Sequence, residues 1–371
     1  MLSLRDLGPR ERAGQLLWIG FDGTTASPAL LRFVRRVQPG GIILFGRNIE
    51  NARQVRALND AFHRELRVPP FIALDQEGGR VNRLRSILGA TPAPLVLASG
   101  SKATTMLRRQ AGATALALRT LGFDVNFAPV LDLSDAGTPN GIGDRALGDE
   151  PDRVISLARV LLRTFLQAKI VAVGKHFPGL GAARSDTHER LPTIDSARQR
   201  LWSSDLLPYR RLSARLPMIM VGHAHYPALQ GTDRVPATLS RRILHDLLRR
   251  RIGYRGYVLT DDLEMGAIDS TLDGGTLAVQ SFMAGSDGLM FCRSPERIEE
   301  AHTALTQAIE TGSISPSRAR ASLVRMMSLK RGFAGRIGRR RYSEAGIARA
   351  RRIFASLGPI SAEGFDPTAR A

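Results

Sequence analysis

Acids, histidines and cations crowd a few short stretches of this chain. Asp75-Gln76-Glu77-Gly78-Gly79-Arg80-Val81-Asn82-Arg83 sets two carboxylates and two guanidiniums around a Gly-Gly turn. Lys175-His176-Phe177-Pro178-Gly179-Leu180-Gly181 opens a glycine-rich loop that runs on to Asp186-Thr187-His188, an acid two residues before an imidazole. Thr260 precedes the adjacent carboxylates Asp261 and Asp262. Carboxylates attack or carry protons, histidine titrates near neutrality, and Arg or Lys bind oxygen through charge-assisted hydrogen bonds. His223-Ala224-His225 permits a metal on spacing alone, because alternate strand residues share a face. No lysine or aspartate arrangement completes such a set, so no metal and no other cofactor is expected.

Each of these groups ends a short apolar run. The runs 16–21, 41–45, 71–75, 125–130, 170–175, 218–223, 257–261 and 288–291 are apolar without alternation, as strands buried on both faces are. Helical patterns separate them. Residues 151–168 place Val154, Leu157, Ala158, Leu161, Leu162 and Phe165 on one stripe. Ser240 is positioned to cap a helix burying Ile243, Leu244, Leu247 and Leu248, and Ser294-Pro295 opens another that stops at Gly312. This strand–helix rhythm predicts an α/β fold, a (β/α)8 TIM-like barrel, although a doubly wound open sheet has a similar rhythm; in the barrel, polar residues at strand C-terminal ends point into the active-site face. On that logic Asp75, Lys175-His176, His223 and Asp261-Asp262 share one mouth. The expected division is a single catalytic domain over residues 1–330. A basic, arginine-rich C-terminal extension follows over 331–371, helical in part around Ile347, Ala350, Phe354 and Leu357 and then flexible.

The 371 residues carry 53 Lys+Arg against 34 Asp+Glu, a formal charge of +19. All but Lys102, Lys169, Lys175 and Lys330 of that basic set are arginines, spread along the chain rather than gathered into a footprint. No specific nucleic-acid partner is therefore expected. Cys292 is the only cysteine, so an intrachain disulfide and a cysteine-rich zinc site are both excluded. The apolar run near the N-terminus is too short for a signal or a membrane span, and the default is a cytoplasmic protein without a membrane span.

The Asp75–Arg83, Lys175–His188 and Thr260–Met265 stretches together resemble glycoside hydrolase family 3, most closely its single-domain bacterial β-N-acetylhexosaminidases. Further motifs lie in the matching order: Gly40-Gly41-Ile42-Ile43-Leu44-Phe45-Gly46-Arg47-Asn48, Asn126-Phe127-Ala128-Pro129-Val130-Leu131-Asp132, Ile142-Gly143-Asp144-Arg145 and Ala284-Gly285-Ser286-Asp287. The resemblance implies Asp261 as catalytic nucleophile, His188 as general acid/base and Asp186 as its partner. It implies Asp75, Arg83, Arg145, Lys175 and His176 as the clamp on an N-acetylglucosamine unit, with His223 lining the sugar pocket. Asp262 is then a structural neighbour. Leu180 stands where the family often has a second histidine and is expected to pack the loop. Glu77 is expected to anchor its loop through Arg80, and Asp132, Asp144 and Asp287 to serve as rim hydrogen-bond partners.

The activity so implied is removal of terminal, non-reducing β-N-acetylglucosamine with retention, on small carbohydrates such as peptidoglycan-derived muropeptides. A retaining glycosidase needs a carboxylate nucleophile and a proton donor, which Asp261 and His188 supply. Two other classes stay open: a glycosidase or phosphorylase for another β-linked sugar, and a non-catalytic barrel binding anionic polymers or membrane surfaces.

Overall fold

The apolar runs become eight parallel strands because both faces of each are covered, one by the barrel interior and one by helices. They are β1 (Leu17–Ile19), β2 (Gly41–Ile43), β3 (Phe71–Leu74), β4 (Val125–Asn126), β5 (Val171–Phe177), β6 (Met218–Val221), β7 (Tyr257–Asp262) and β8 (Gly288–Phe291). Each pairs in parallel with its neighbours in sequence, and β8 pairs with β1 to close the barrel. This computed structural model describes residues 6–134, 141–187, 189–268, 270–334 and 341–358.

The expected strand over 125–130 is only Val125–Asn126 long. Pro129 lacks the N–H that continued pairing requires, and contact with β5 resumes as the single bridge between Val130 and Lys175. The interior of the barrel is filled by side chains. Trp18, Phe71, Phe127 and Tyr257 form its aromatic layer, with the Trp18 indole N–H donating to the Tyr257 hydroxyl at 3.2 Å. Gly41 is paired with Trp18 and must lack a side chain, since a Cβ there would lie 2.2 Å from the indole.

Six helices frame the barrel where it bears on binding and stability. They are α1 (Ala103–Leu121), α2 (Pro151–Gln167), α3 (Leu207–Leu212), α4 (Pro295–Glu310), α5 (Pro316–Ala334) and α6 (Glu344–Ala355). The expected stripe of α2 is buried, and α4 opens at Ser294, whose hydroxyl accepts the Arg297 N–H. Ser240 behaves differently from expectation. Its backbone carbonyl, not its hydroxyl, takes the first N–H groups of the Arg242–Arg251 helix. The barrel's N-terminal end is plugged by α5 through Met326, with Leu329 and Phe333 packed beside it. α6 lies along α1 and buries Ile347, Ala350 and Phe354, with Leu357 just beyond its end. Among the described residues no helix is long and apolar enough to cross a membrane.

Candidate active site

At the C-terminal end of β3 the chain leaves the barrel at Asp75 and folds into a hairpin, Gln76–Gly78 against Val81–Asn82. Asn126 at the end of β4 pins it, accepting the Gln76 N–H at 3.0 Å and donating to the Gln76 carbonyl at 3.0 Å. Asp75 and Glu77 are two residues apart in extended chain and therefore face the same side. Both meet Lys175 from β5: its Nζ lies 2.6 Å from Asp75 Oδ1 and 2.6 Å from Glu77 Oε1.

Arg145 completes this knot. Its Nε and Nη2 donate to the two oxygens of Glu77 at 2.8 Å each, and Nη1 donates to the Gly141 carbonyl at 3.1 Å. Burial alone would raise the Glu77 carboxyl, but Arg145 and Lys175 override it and hold the group far below the usual carboxylate range. Burial likewise opposes the charge on Lys175, yet Asp75 and Glu77 lift its pKa above the ordinary lysine value. Glu77, Lys175 and Arg145 are thus ionised at neutral pH. Glu77 is not anchored through Arg80, as the sequence suggested. Arg80 instead donates to Asp144 and to the carbonyls of Gly141 and Ile142, fixing the Arg145 loop from outside. Arg83 is buried 4.0 Å from the far oxygen of Asp75, with its guanidinium over the Phe45 ring.

His176 follows Lys175 and is held by Asp132. One Asp132 oxygen takes the ring Nδ1 at 2.6 Å and the other accepts the Leu180 N–H at 2.8 Å, so a single carboxylate orients the imidazole and turns the loop. Leu180 is buried and packs that loop onto β6. A Cβ on Gly222 would lie 2.9 Å from His176 Cβ and 3.2 Å from Leu180, which explains the glycine.

Asp261 and Asp262 end β7 in different surroundings. Asp261 is half-buried, and its Oδ1 accepts the Asp262 N–H at 2.9 Å. Asp262 is buried, with Oδ1 accepting the Glu264 N–H at 3.1 Å. Burial, reinforced by the charges of Glu264 and Asp261, pushes the Asp262 carboxyl up to about 8. At neutral pH it is chiefly a neutral acid.

Asp75, Arg145, Lys175, His176, Asp186 and Asp261 open on one cavity, about 570 Å³ of space including its open mouth, walled by apolar groups including Phe45, Phe127 and Met265. Separate segments of the chain therefore bring six of the expected site residues together. Two others sit behind the wall. Arg83 backs Asp75, and His223 is fully enclosed, its Nε2 donating to the Asp262 carbonyl and its Nδ1 facing the Thr238 hydroxyl, both at 2.8 Å. The expectation that His223 lines the pocket gives way to a role holding the backbone under Asp261–Asp262, because both ring nitrogens are used there. His188 lies outside the described residues, whereas Asp186 and Thr187 just before it border the cavity. Sequence reasoning undervalued Glu77 and Asp132. The two-residue spacing of Asp75 and Glu77 was the available signal for the first, while the second depends on a contact across 44 residues.

Residues 9–329 match the glycosyl hydrolase family 3 N terminal domain. The chain is 40% identical over 288 residues to a protein of Alkalilimnicola ehrlichii named β-hexosaminidase, covering 76% of this chain and 82% of that one. It is 35% identical over 289 residues to a β-hexosaminidase of Pseudomonas aeruginosa, covering 78% and 86%. Among solved structures, a glycoside hydrolase family 3 β-N-acetylglucosaminidase from Paenibacillus superposes with a TM-score of 0.85 at 34% identity, over 95% of this chain and 68% of that one. NagZ from Neisseria gonorrhoeae does so with a TM-score of 0.78 at 28% identity, over 92% and 98%. Motif order, barrel and overall similarity agree across nearly the whole catalytic length: the chain belongs to glycoside hydrolase family 3.

Proposed function

We propose that the protein is a retaining exo-β-N-acetylglucosaminidase that cleaves terminal, non-reducing N-acetylglucosamine through a covalent intermediate on Asp261. The observation that carries this reading is the opening of Asp261 onto the same cavity as the Asp75–Lys175–Glu77–Arg145 knot and His176. Relatives named β-hexosaminidase support the substrate class. Asp261 attacks the anomeric carbon while His188, oriented by Asp186, protonates the departing oxygen. The same histidine then deprotonates the water that releases the sugar. Asp75 and Lys175 bind sugar hydroxyls, and Arg145 reaches the substrate from the cavity wall. The proton on Asp262 keeps a second negative charge from forming beside the nucleophile.

The natural substrates in this reading are muropeptide sugars released during peptidoglycan turnover, met in the cytoplasm. The chemistry resides in residues 1–330, with 331–371 outside the catalytic machinery. A fluorinated N-acetylglucosaminide that traps the glycosyl-enzyme, followed by peptide mass mapping, tests the proposal. A label on Asp261, together with turnover of aryl N-acetylglucosaminide far above aryl glucoside and independent of phosphate, supports it. A label on Asp262, faster glucoside turnover or phosphate-dependent cleavage overturns it.

A further inference from the structure

Away from the catalytic mouth, toward the plugged end of the barrel, a second cavity of about 1340 Å³ of open space lies between α2 and the turn that follows α3. Its floor is apolar: Ile170, Ala172 and Leu216. Its walls are Leu162 and Leu166 of α2, Phe333 of α5, and Ala214 with Pro217. Leu166 is 52% exposed, the most exposed of the large apolar side chains among the described residues. Three guanidiniums rim this slot. Arg159 and Arg163 are one turn apart on α2, and Arg215 comes from the other side. Among the described residues no acid lines the slot, and none of these three side chains makes an ion pair or hydrogen bond. Some arginines elsewhere at the surface find acids, as Arg53 does with Glu344 and Arg67 with Glu11.

An apolar slot ringed by unpaired cations asks for a ligand with both properties. We propose that this groove binds an amphiphilic anion, a fatty carboxylate whose alkyl chain lies along Leu162, Leu166, Ala214 and Phe333 while its head group meets Arg159, Arg163 and Arg215. Ile170, Ala172 and Leu216, each no more than 3% exposed, form the groove's apolar base while the three guanidiniums stand at its exposed rim, so apolar surface and positive charge are offered together to one amphiphile. The carboxylate pairs with the rim guanidiniums, and the methylenes leave water.

Calorimetric titration of the full-length protein with decanoate, octanoate and decanol tests this. The expected result is one decanoate per chain, binding about fourfold weaker for each methylene removed, and roughly tenfold weaker or more for decanol. Arg163→Gln with Arg215→Gln should weaken decanoate by roughly tenfold or more. Ala214→Trp, at the lip of the slot, should block it and abolish binding while leaving glycosidase turnover unchanged. Equal affinity for decanol and decanoate overturns the proposal, as does decanoate binding that survives both sets of substitutions. Retention on anionic vesicles without any saturable decanoate binding also overturns it, assigning the basic rim to a membrane surface instead.

Discussion

The two ends of the barrel both bury charge, and they do so to opposite effect. At the N-terminal end Asp287, fully buried just before β8, accepts from Ser322 at 2.6 Å, Arg325 at 2.8 Å and the Val258 N–H at 3.0 Å, and is paired with Arg249. Both of its oxygens are satisfied, and α5 closes the space beyond it. Lys330, on the same helix, donates to Gln15 at 2.9 Å, and burial drops its pKa to about 7. At the C-terminal end Asp75, Glu77, Lys175 and Arg145 are packed as tightly, yet among the described residues no helix caps them and a cavity opens over them. Buried charge is therefore no sign of function by itself. What separates the two ends is whether the charged groups keep an open side, here one shared with Asp261.

The largest expected difference comes from one aspartate at each end. Asp261→Asn should reduce kcat/KM on an aryl N-acetylglucosaminide by about 10³-fold or more, with Tm within a few degrees of wild type. Asp287→Ala should do the reverse. It strands the guanidiniums of Arg249, Arg318 and Arg325 that face it, costing about 3–5 kcal/mol in urea unfolding, while kcat/KM per folded molecule stays unchanged. Loss of turnover in folded Asp287→Ala would erase the distinction between the two ends.

Lys175 sharpens the comparison because it belongs to both worlds, bonded to two acids and open to the cavity. Lys175→Ala should lose about 1.5–3 kcal/mol of transition-state stabilisation, a roughly 10- to 150-fold fall in kcat/KM. It should also lose thermal stability, since Glu77 keeps Arg145 but Asp75 is left with Arg83 at 4.0 Å. Wild-type kcat/KM in this variant would place the sugar clamp elsewhere.

The smallest effect concerns Asp262, whose folded pKa of about 8 stands above the ordinary aspartate value of 3.8. The native state holds this proton where the unfolded chain has lost it, so the group's contribution to stability falls as pH rises from about 4 to about 8. Asp262→Asn removes that dependence and can still accept the Glu264 N–H. Its Tm should therefore gain on wild type by several degrees between about pH 5 and pH 9. A gap that stays constant over this range would show that Asp262 is ionised throughout.

Much of the architecture was legible in the chain. Apolar runs without alternation announced strands covered on both faces, and the α2 stripe and the Ser294 cap follow from local chemistry that needs no distant partner. Strand ends carrying Asp75, Lys175-His176 and Asp261 marked the mouth, because every parallel strand of a barrel delivers its C-terminal residues to one side. The short β4 was less legible, since its true length depends on how Pro129 meets β5 rather than on hydropathy.

Residue types, their order and the spacing of the motifs thus determined the barrel, the family and the face on which chemistry takes place. Partnership was decided only in three dimensions. Glu77 meets Arg145 across 68 residues, Lys175 meets Asp75 across 100, and His223 is drawn behind Asp262 rather than into the cavity. The protonation of Asp262 has the same origin. Two adjacent carboxylates are chemically identical in the sequence, but one lies in the wall beside Glu264 and the other is half-open to the cavity, and only desolvation tells them apart.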